Sequence, residues 1–294
     1  MIDTLATGYP IGELCAILEV SRSGYYAWRS GGRGTRDGEN TVLEQHIRAI
    51  HRENRAVYGS PRITNELHAR GIRCGHNRVA RLMRKVGLHG VQRARFHPRT
   101  TDSRHDGPIS PNRLDGMTVD EPNRVWVTDI TYIATREGWW YLSAVMDLTS
   151  RTIKGWALRN SLKSSLVIDA FRVAATRYKP APGLIVHSDR GCQYAGREFH
   201  QQLLEHHALS SMSRAGNCYD NAAMESFWAT LKTELQRSNP FNTEEEARLA
   251  IFDYIETFYN RRRLHSALGY KSPLQFEAEF MNRNIAPAVS AILG

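Results

Sequence analysis

The sequence predicts an α/β protein in which helices cover the faces of a mixed β-sheet, with small all-helical modules ahead of this core. Between residues 121 and 281, strand-like and helix-like segments follow in the order three strands, helix, strand, helix, strand, helix. Residues 1–97 carry only helical periodicity, in two patterns typical of helix-turn-helix modules. Because each amphipathic element must bury its apolar side, this order predicts a layered core.

The composition is typical of a globular chain with reduced cysteines. A length of 294 residues suits one core of ordinary size with small additional modules. No apolar run approaches the roughly 20 residues of a membrane span, and no secretory signal is visible, so we expect a cytoplasmic protein. The four cysteines are scattered, and a zinc site built on Cys74 and His76 would lack a second ligand pair at zinc-finger spacing.

Positive charge is concentrated in the first two-fifths of the chain. Residues 1–119 contain 19 Lys and Arg against 11 Asp and Glu, whereas residues 120–294 contain 20 against 19. Such an asymmetry indicates that the N-terminal region binds a polyanion.

The first module is predicted at residues 1–35. Two short helices within residues 11–28 meet at a turn, and Ser21 is placed to cap the second helix. We expect the aromatic residues Tyr25, Tyr26 and Trp28 to form the core of this module. The Gly-rich and charged stretch 30–40 reads as a flexible linker.

The second module, residues 40–97, is predicted to bind DNA. A long helix from Thr41 precedes a helix that starts at Ser60 and ends at Gly71, and a further helix starts near His76. That last helix presents the basic residues Arg78, Arg81, Arg84 and Lys85. Residues 67–101 contain nine Lys and Arg and no acid, a pattern that favours phosphate contacts over an ordinary solvated face.

The catalytic core is predicted at residues 121–281, after a linker at residues 98–120 that lies across the protein surface or across bound nucleic acid. The predicted strands are residues 124–135, 138–148, 151–158, 183–189 and 209–214, and the predicted helices are residues 162–178, 197–209, 221–235 and 243–263. In the first of these helices the expected inward residues are Leu162, Leu166, Val167, Ala170 and Val173. Residues 282–294 form a C-terminal tail.

Three carboxylates are the best candidates for chemistry. Asp129 lies within a strand, Asp189 follows a strand, and Glu225 lies in a helix after a gap of 35 residues. Each has a simpler explanation alone, since an Asp favours turns and a Glu near a helix start suits the helix dipole. Asp147 competes for a site role, whereas Asp220 is more simply a helix N-cap.

Carboxylates on separate elements can hold one or two Mg²⁺ or Mn²⁺ ions, because hard cations prefer oxygen ligands. Such sites perform phosphoryl transfer on phosphodiesters. Lys232 lies on the helical face of Glu225 two turns later, where it can hold a DNA phosphate. Asn217 and Tyr219 precede that helix and are candidate substrate contacts. His187 and His265 have no nucleophile partner, which disfavours acyl transfer.

Several motifs resemble the integrase catalytic core of the D-D-E transposase and retroviral integrase superfamily. They are WVTDITYI, HSDRGCQY, the 35-residue gap and NAAMESFWATLKTE. The segment YGSPRI and the ending FYNRRRLHSALGYKSP are similar to orfB-type transposases of the IS-three group of bacterial insertion sequences. The resemblance extends from about Ile11 to Phe280.

This resemblance implies a ribonuclease-H-like core in which Asp129, Asp189 and Glu225 hold two divalent ions. It also implies cleavage of one strand at an element end, attack of the freed 3′-hydroxyl on DNA, circular intermediates and a homo-oligomer on DNA. The chain departs from retroviral integrases because it lacks their His-His-Cys-Cys spacing. Full transposases of the IS-three group begin with a separate helix-turn-helix and leucine zipper, usually from an upstream reading frame, and this chain has no heptad run of apolar residues. The resemblance therefore implies an upstream-frame partner or fusion that supplies the zipper.

Two other functions fit the same residues. A ribonuclease-H-like nuclease would hydrolyse without joining, although such an enzyme has no need of a basic helix-turn-helix arm. A catalytically silent DNA-binding regulator would keep that arm, although retention of all three acids argues against it.

Overall fold

The computed structural model describes residues 2–30, 35–92, 108–213, 221–235 and 240–292. The chain divides into two compact units, residues 1–90 and 91–294. Among the described residues, no helix is both long enough and apolar enough to span a membrane. The sequence predicts a division into more segments than these two units, and the boundaries of those segments remain predictions.

The N-terminal unit is entirely helical in its described residues. Its helices are α1 (Ile2–Leu5), α2 (Ile11–Ile17), α3 (Arg22–Arg29), α4 (Thr35–Glu53), α5 (Ser60–Ala69) and α6 (His76–Lys85). Helices α4, α5 and α6 share an apolar interior of Leu43, Ile47, Ile50, Ile63, Leu67, Val79, Leu82 and Met83. Gly71 adopts a φ of 77°, which allows the chain to turn sharply after α5. The predicted helix-turn-helix pattern of α5 and α6 is therefore present.

The stretch predicted as a flexible linker is helical from Thr35 onward, so the prediction that the long helix starts at Thr41 is wrong. Tertiary contacts explain the difference, because Arg78 of α6 binds Glu39 and Asn40 on this extra turn. A second contribution comes from Thr41, whose hydroxyl donates to the carbonyl of Asp37.

The aromatic residues of the first module do not form its core as predicted. Tyr25 is buried and its hydroxyl donates to Asp3 at 2.7 Å, but Tyr26 and Trp28 are 47% and 68% exposed. Three short helices enclose too little interior for three large rings, so two of them remain at the surface.

The C-terminal unit is built on a five-stranded mixed sheet. Its strands are β1 (Val125–Thr135), β2 (Gly138–Asp147), β3 (Ile153–Arg159), β4 (Ile185–Ser188) and β5 (Leu209–Met212). The strand order is β3-β2-β1-β4-β5, antiparallel among the first three and parallel from β1 to β5. This arrangement confirms the predicted α/β class and the ribonuclease-H-like core.

One face of the sheet is covered by α7 (Ser164–Tyr178), with α8 (Cys192–Ala195) and α9 (Arg197–Glu205) beside it. Helix α7 approaches β3 so closely that a Cβ on Gly155 would lie 2.4 Å from the carbonyl oxygen of Ala170. Val173, predicted to face inward, is 48% exposed. The buried stripe of α7 runs instead through Phe171 and Ala174, so Val173 lies at its edge.

The other elements are α10 (Ala222–Leu235), α11 (Glu244–Phe252), a π-helical segment (Asp253–Tyr259), a short 3₁₀ helix (Ser266–Leu268) and α12 (Pro273–Ile292). The sequence predicted one helix over residues 243–263 and gave no prediction of α12. Asn260 at the end of the π segment donates to and accepts from the backbone of Ile153, and so completes the hydrogen bonding at the start of β3.

Within residues 108–120, the described part of the predicted linker, Ser110 and Arg113 contact the edge strand β5. The Ser110 hydroxyl donates to Ser210 at 2.9 Å, and the Arg113 amide donates to the Ser211 hydroxyl at 2.9 Å. These bonds partly cover an edge that would otherwise expose unpaired backbone groups. Residues 98–107 lie outside the described residues.

Candidate active site

Asp129 lies near the middle of β1, and its side chain contacts Trp228 of α10. Its Oδ1 accepts from the backbone amide of Ile130 at 2.8 Å, and its Oδ2 accepts from the indole Nε1–H of Trp228 at 3.0 Å. The side chain is only partly exposed. A carboxylate in such a position is costly unless a positive charge compensates it.

Asp189 directly follows β4, the parallel neighbour of β1. Val127 pairs with His187 in the register of these strands, so Asp129 and Asp189 each lie two residues beyond a paired position. The sheet therefore places the two acids side by side. Asp189 Oδ1 also accepts from the amide of Gly191 at 2.9 Å, which is the turn-forming role that the sequence allowed for it.

Glu225 lies in the first turn of α10 and is exposed. Burial and the negative charge of Asp189, with a smaller effect from Glu225, raise the pKa of Asp129 to about 7. The hydrogen bonds from Ile130 and Trp228 oppose this rise without cancelling it. The structure thus brings the three predicted acids within electrostatic reach of one another.

The charge of this acidic cluster fits a divalent cation. In the described ranges, no three His, Cys, Asp or Glu side chains are close enough to hold a metal ion between them. Asp129 and Asp189 instead accept hydrogen bonds from amide and indole N–H groups. The donors are nevertheless carboxylate oxygens, the ligands that Mg²⁺ and Mn²⁺ prefer, and burial together with the charge of Asp189 raises the pKa of Asp129.

Lys232 lies seven residues after Glu225 on α10 and is partly buried. Burial lowers the pKa of its ammonium group, and the negative charge of Asp129 acts in the opposite direction. Lys232 and Asp129 therefore lie within electrostatic reach of each other. Asn217, Tyr219 and Asp220 lie outside the described residues.

Asp147, the competitor for a site role, has a structural function. It is fully buried at the end of β2, where it accepts hydrogen bonds from the amides of Asn123, Thr149 and Ser150 and from the Ser150 hydroxyl. These donors occupy its oxygens and fix the turn into β3. His187 is likewise buried, with Nδ1 at 2.9 Å from the Ser211 hydroxyl.

Trp228 is the residue of this site that the sequence did not single out. It contacts Asp129 directly and lies three residues after Glu225, on the same side of α10. The spacing was visible in the sequence, but the apolar neighbours of Trp228 made a purely core position the natural interpretation.

The four basic residues of α6 differ in their environments. Arg78 binds Glu39 and Asn40, and Lys85 binds Glu44 at 2.7 Å. Arg81 and Arg84 are exposed, and neither forms an ion pair with a described residue. Two of the four basic residues predicted to bind DNA are therefore already paired with acidic residues of α4.

Family models match most of the chain. The integrase core domain matches residues 119–218, a second integrase core domain model matches residues 208–273, and an HTH-like domain matches residues 38–96. Together with the strand order and the acidic cluster, these matches define the class of protein: an integrase core that follows a helix-turn-helix arm.

Relatives of known sequence narrow the class. The chain is 41% identical to an uncharacterized 31 kDa protein of insertion element IS600 from Shigella sonnei, over 91% of this chain and 98% of that protein. It is 42% identical to the transposase of IS904 from Lactococcus lactis over 81% and 94%, and 39% identical to transposase InsF of IS3A from Escherichia coli over 95% and 96%. The chain belongs to the IS3 family of insertion-sequence transposases.

The solved structures to which the chain is similar include an intasome and an integrase catalytic core domain. A simian T-cell lymphotropic virus intasome in complex with the PP2A regulatory subunit B56 gamma is 16% identical, with coverage of 79% of this chain and 74% of that chain and a TM-score of 0.45. The HTLV-2 integrase catalytic core domain in complex with magnesium is 16% identical, with coverage of 53% and 97% and a TM-score of 0.38.

Proposed function

We propose that the chain is a polynucleotidyl transferase that cleaves DNA at the ends of its insertion sequence and joins the freed 3′ ends to target DNA. Membership of a transposase family supports this reaction class. The observation that carries it is the partly buried Asp129, whose pKa is raised to about 7 by burial and by Asp189 and Glu225. A cluster of carboxylates in which burial and like charge raise a pKa is what a cation-dependent phosphoryl transferase requires.

In this proposal Asp129, Asp189 and Glu225 hold two divalent ions, Mg²⁺ or Mn²⁺. When bound, such ions stabilise charge on the attacking and leaving oxygens of an in-line displacement. In the joining step, the oxygen of a 3′-hydroxyl forms a bond to a target phosphorus, loses its proton to solvent, and displaces a 3′-oxygen of the target strand. Lys232 holds a phosphate beside the acids.

We further propose that α6 contacts DNA phosphates and that the chain works as a homo-oligomer on element ends and target. Asn217 and Tyr219 remain candidate DNA contacts ahead of α10. A partner from an upstream reading frame, which supplies a leucine zipper, belongs to the same proposal.

The test uses the purified chain, DNA that carries the element's own ends, and Mg²⁺. Wild type is compared with Glu225→Gln, which keeps side-chain size but removes the charge. Glu245→Gln is the matched control, because Glu245 is also an exposed Glu in the first turn of a helix. Nicked and joined 3′ ends are mapped by sequencing, with and without the upstream-frame product.

Joined ends that require Mg²⁺ and Glu225, but not Glu245, are the expected result. Nicks without joined ends, both with and without the upstream-frame product, would favour the nuclease. DNA binding with neither nicks nor joined ends under both conditions would favour the silent regulator. Full activity of Glu225→Gln would remove Glu225 from the site.

A further inference from the structure

One hydrogen bond connects the two elements that carry the acids. The indole Nε1–H of Trp228 on α10 donates to Oδ2 of Asp129 on β1, with 3.0 Å between the nitrogen and the oxygen. Glu225 lies one helical turn before Trp228. This contact therefore connects the Asp129 carboxylate directly to the helix that presents Glu225.

The indole itself is held rigidly. Trp228 is 6% exposed, and its ring centroid lies 4.8 Å from that of Phe227. Phe227 in turn packs edge-on against Tyr259 at 4.8 Å, at the end of the π-helical segment. A donor with so little rotational freedom can fix its acceptor, whereas a mobile donor could not.

The other oxygen of Asp129 is also occupied. Oδ1 accepts from the amide of Ile130 at 2.8 Å, so both oxygens of the carboxylate are oriented by fixed N–H groups. Each carboxylate oxygen has two lone pairs, and a single N–H donor leaves one of them for another partner. The Trp228 bond is thus compatible with a cation on the same carboxylate.

We propose that Trp228 is a positioning residue for cation binding, which acts through Asp129. This inference rests on the proposed function of the acids as cation ligands. Hydrogen-bond donors that orient a ligating group typically account for 10- to 100-fold in metal affinity. Removal of the Trp228 N–H should therefore weaken Mn²⁺ binding by about 10- to 100-fold.

The test measures Mn²⁺ dissociation constants of the full chain from the electron paramagnetic resonance signal of free Mn²⁺. Trp228→Phe keeps an aromatic ring and removes the N–H. Replacement of Trp228 by benzothienylalanine keeps the two-ring shape and substitutes sulfur for the N–H. Trp156→Phe is the matched control, because Trp156 also donates its indole N–H to a carboxylate, Glu256 at 3.4 Å, outside the acidic cluster. Asp129→Asn tests the cation site itself.

Weaker Mn²⁺ binding in both Trp228 variants, with unchanged binding in Trp156→Phe, is the expected result. The unfolding temperature without metal is measured in parallel, because a merely structural role would lower that temperature and leave the dissociation constant alone. Wild-type or tighter binding in the benzothienylalanine protein would overturn the positioning role, even if Trp228→Phe misfolds. If Asp129→Asn binds Mn²⁺ like wild type, the proposed cation site fails and the inference fails with it.

Discussion

In the proposed cation site, binding of the ion is coupled to the protonation of Asp129. Its pKa of about 7 in the folded chain, raised first by burial and then by Asp189, compares with about 3.9 for an unfolded Asp. The folded state therefore binds this proton more tightly than the unfolded state does. Without a cation, the resulting stabilisation is fully present below about pH 4 and is lost as the pH rises towards about 7.

Cation binding should show the opposite dependence on pH. In the proposed site the ligand is the ionised carboxylate of Asp129, so a cation must displace its proton at pH values below about 7. We expect Mn²⁺ affinity to rise between about pH 5.5 and 7 and then to level off. Titrations of wild type across this range provide the measurement, and Asp129→Asn should flatten the profile. Affinity that is independent of pH in wild type would contradict the assignment of Asp129 as a ligand.

Asp147 shows that the sequence alone does not distinguish a buried Asp with a structural role from an Asp of the candidate site. Asp129 and Asp147 both lie in predicted strands among apolar residues, and their neighbours gave a similar signal. What distinguishes them is the set of N–H groups that the fold brings to each. Asp147 accepts from the amides of Asn123, Thr149 and Ser150, whereas Asp129 accepts from one amide and one indole and has two negative neighbours. Motif and spacing were enough to propose the three acids as a site, whereas the hydrogen bond of Trp228 to Asp129 is a tertiary contact that the sequence does not reveal.

At the scale of single elements, helix α6 shows that the number of basic residues on a helix differs from the number available to bind phosphate. Its cations were predicted as one DNA-binding set, yet Glu39 and Glu44 of α4 pair with two of them. An ion-paired side chain must give up its partner before it neutralises a phosphate, which offsets part of the gain. The exposed Arg81 and Arg84 carry no such cost within the described residues.

Replacement of Arg81 and Arg84 by Ala should therefore weaken DNA binding more than replacement of Arg78 and Lys85. Each lost phosphate contact lowers the slope of log affinity against log salt by about 0.9. Fluorescence anisotropy with element-end DNA at several salt concentrations gives both slopes. The Arg78→Ala, Lys85→Ala protein is the matched control, since it removes the same number of charges from the same helix. Equal losses of slope would contradict a role for the ion pairs in selecting the contacts.

Element boundaries failed where tertiary contacts outweighed local signals. The extra turns of α4 exist because Arg78 binds Glu39 and Asn40, a contact between residues 38 or more positions apart. On α7, the sequence offered several apolar residues, and only the position of the sheet decides that Val173 remains outside. The strands were predicted closely, because alternation and β-branched residues depend on neighbours along the chain.

At the scale of the whole C-terminal unit, the last third of the chain closes the core through buried ion pairs. Lys154 on β3 binds Glu277 on α12 at 2.6 Å, and Ser150 donates to the same carboxylate. Arg263 binds Glu234 of α10 through two nitrogens, and the Tyr254 hydroxyl donates to Glu234 as well. The ending FYNRRRLHSALGYKSP contains Asn260 and Arg263 and so anchors both β3 and the helix of Glu225.

Arg263→Ala should strongly destabilise this unit, because Glu234 would remain buried without its counter-charge. Side chains of Arg263 and Glu234 are only 6% and 7% exposed, and removal of one partner of such a pair typically costs about 3–5 kcal/mol. Lys271→Ala is the control, since Lys271 pairs with Glu279 at the surface and such pairs contribute at most about 1 kcal/mol. Urea unfolding at neutral pH measures both changes in free energy.

The double variant Glu234→Gln, Arg263→Met separates charge from packing. It leaves no ion unpaired, so it should regain much of the stability that Arg263→Ala loses. Recovery would show that the pair is needed mainly because each charge is buried with the other. If the double variant is as unstable as Arg263→Ala, the contribution of Arg263 lies in its contacts with Tyr259 and the other rings of this region, and the aromatic packing rather than the ion pair holds α10 in place.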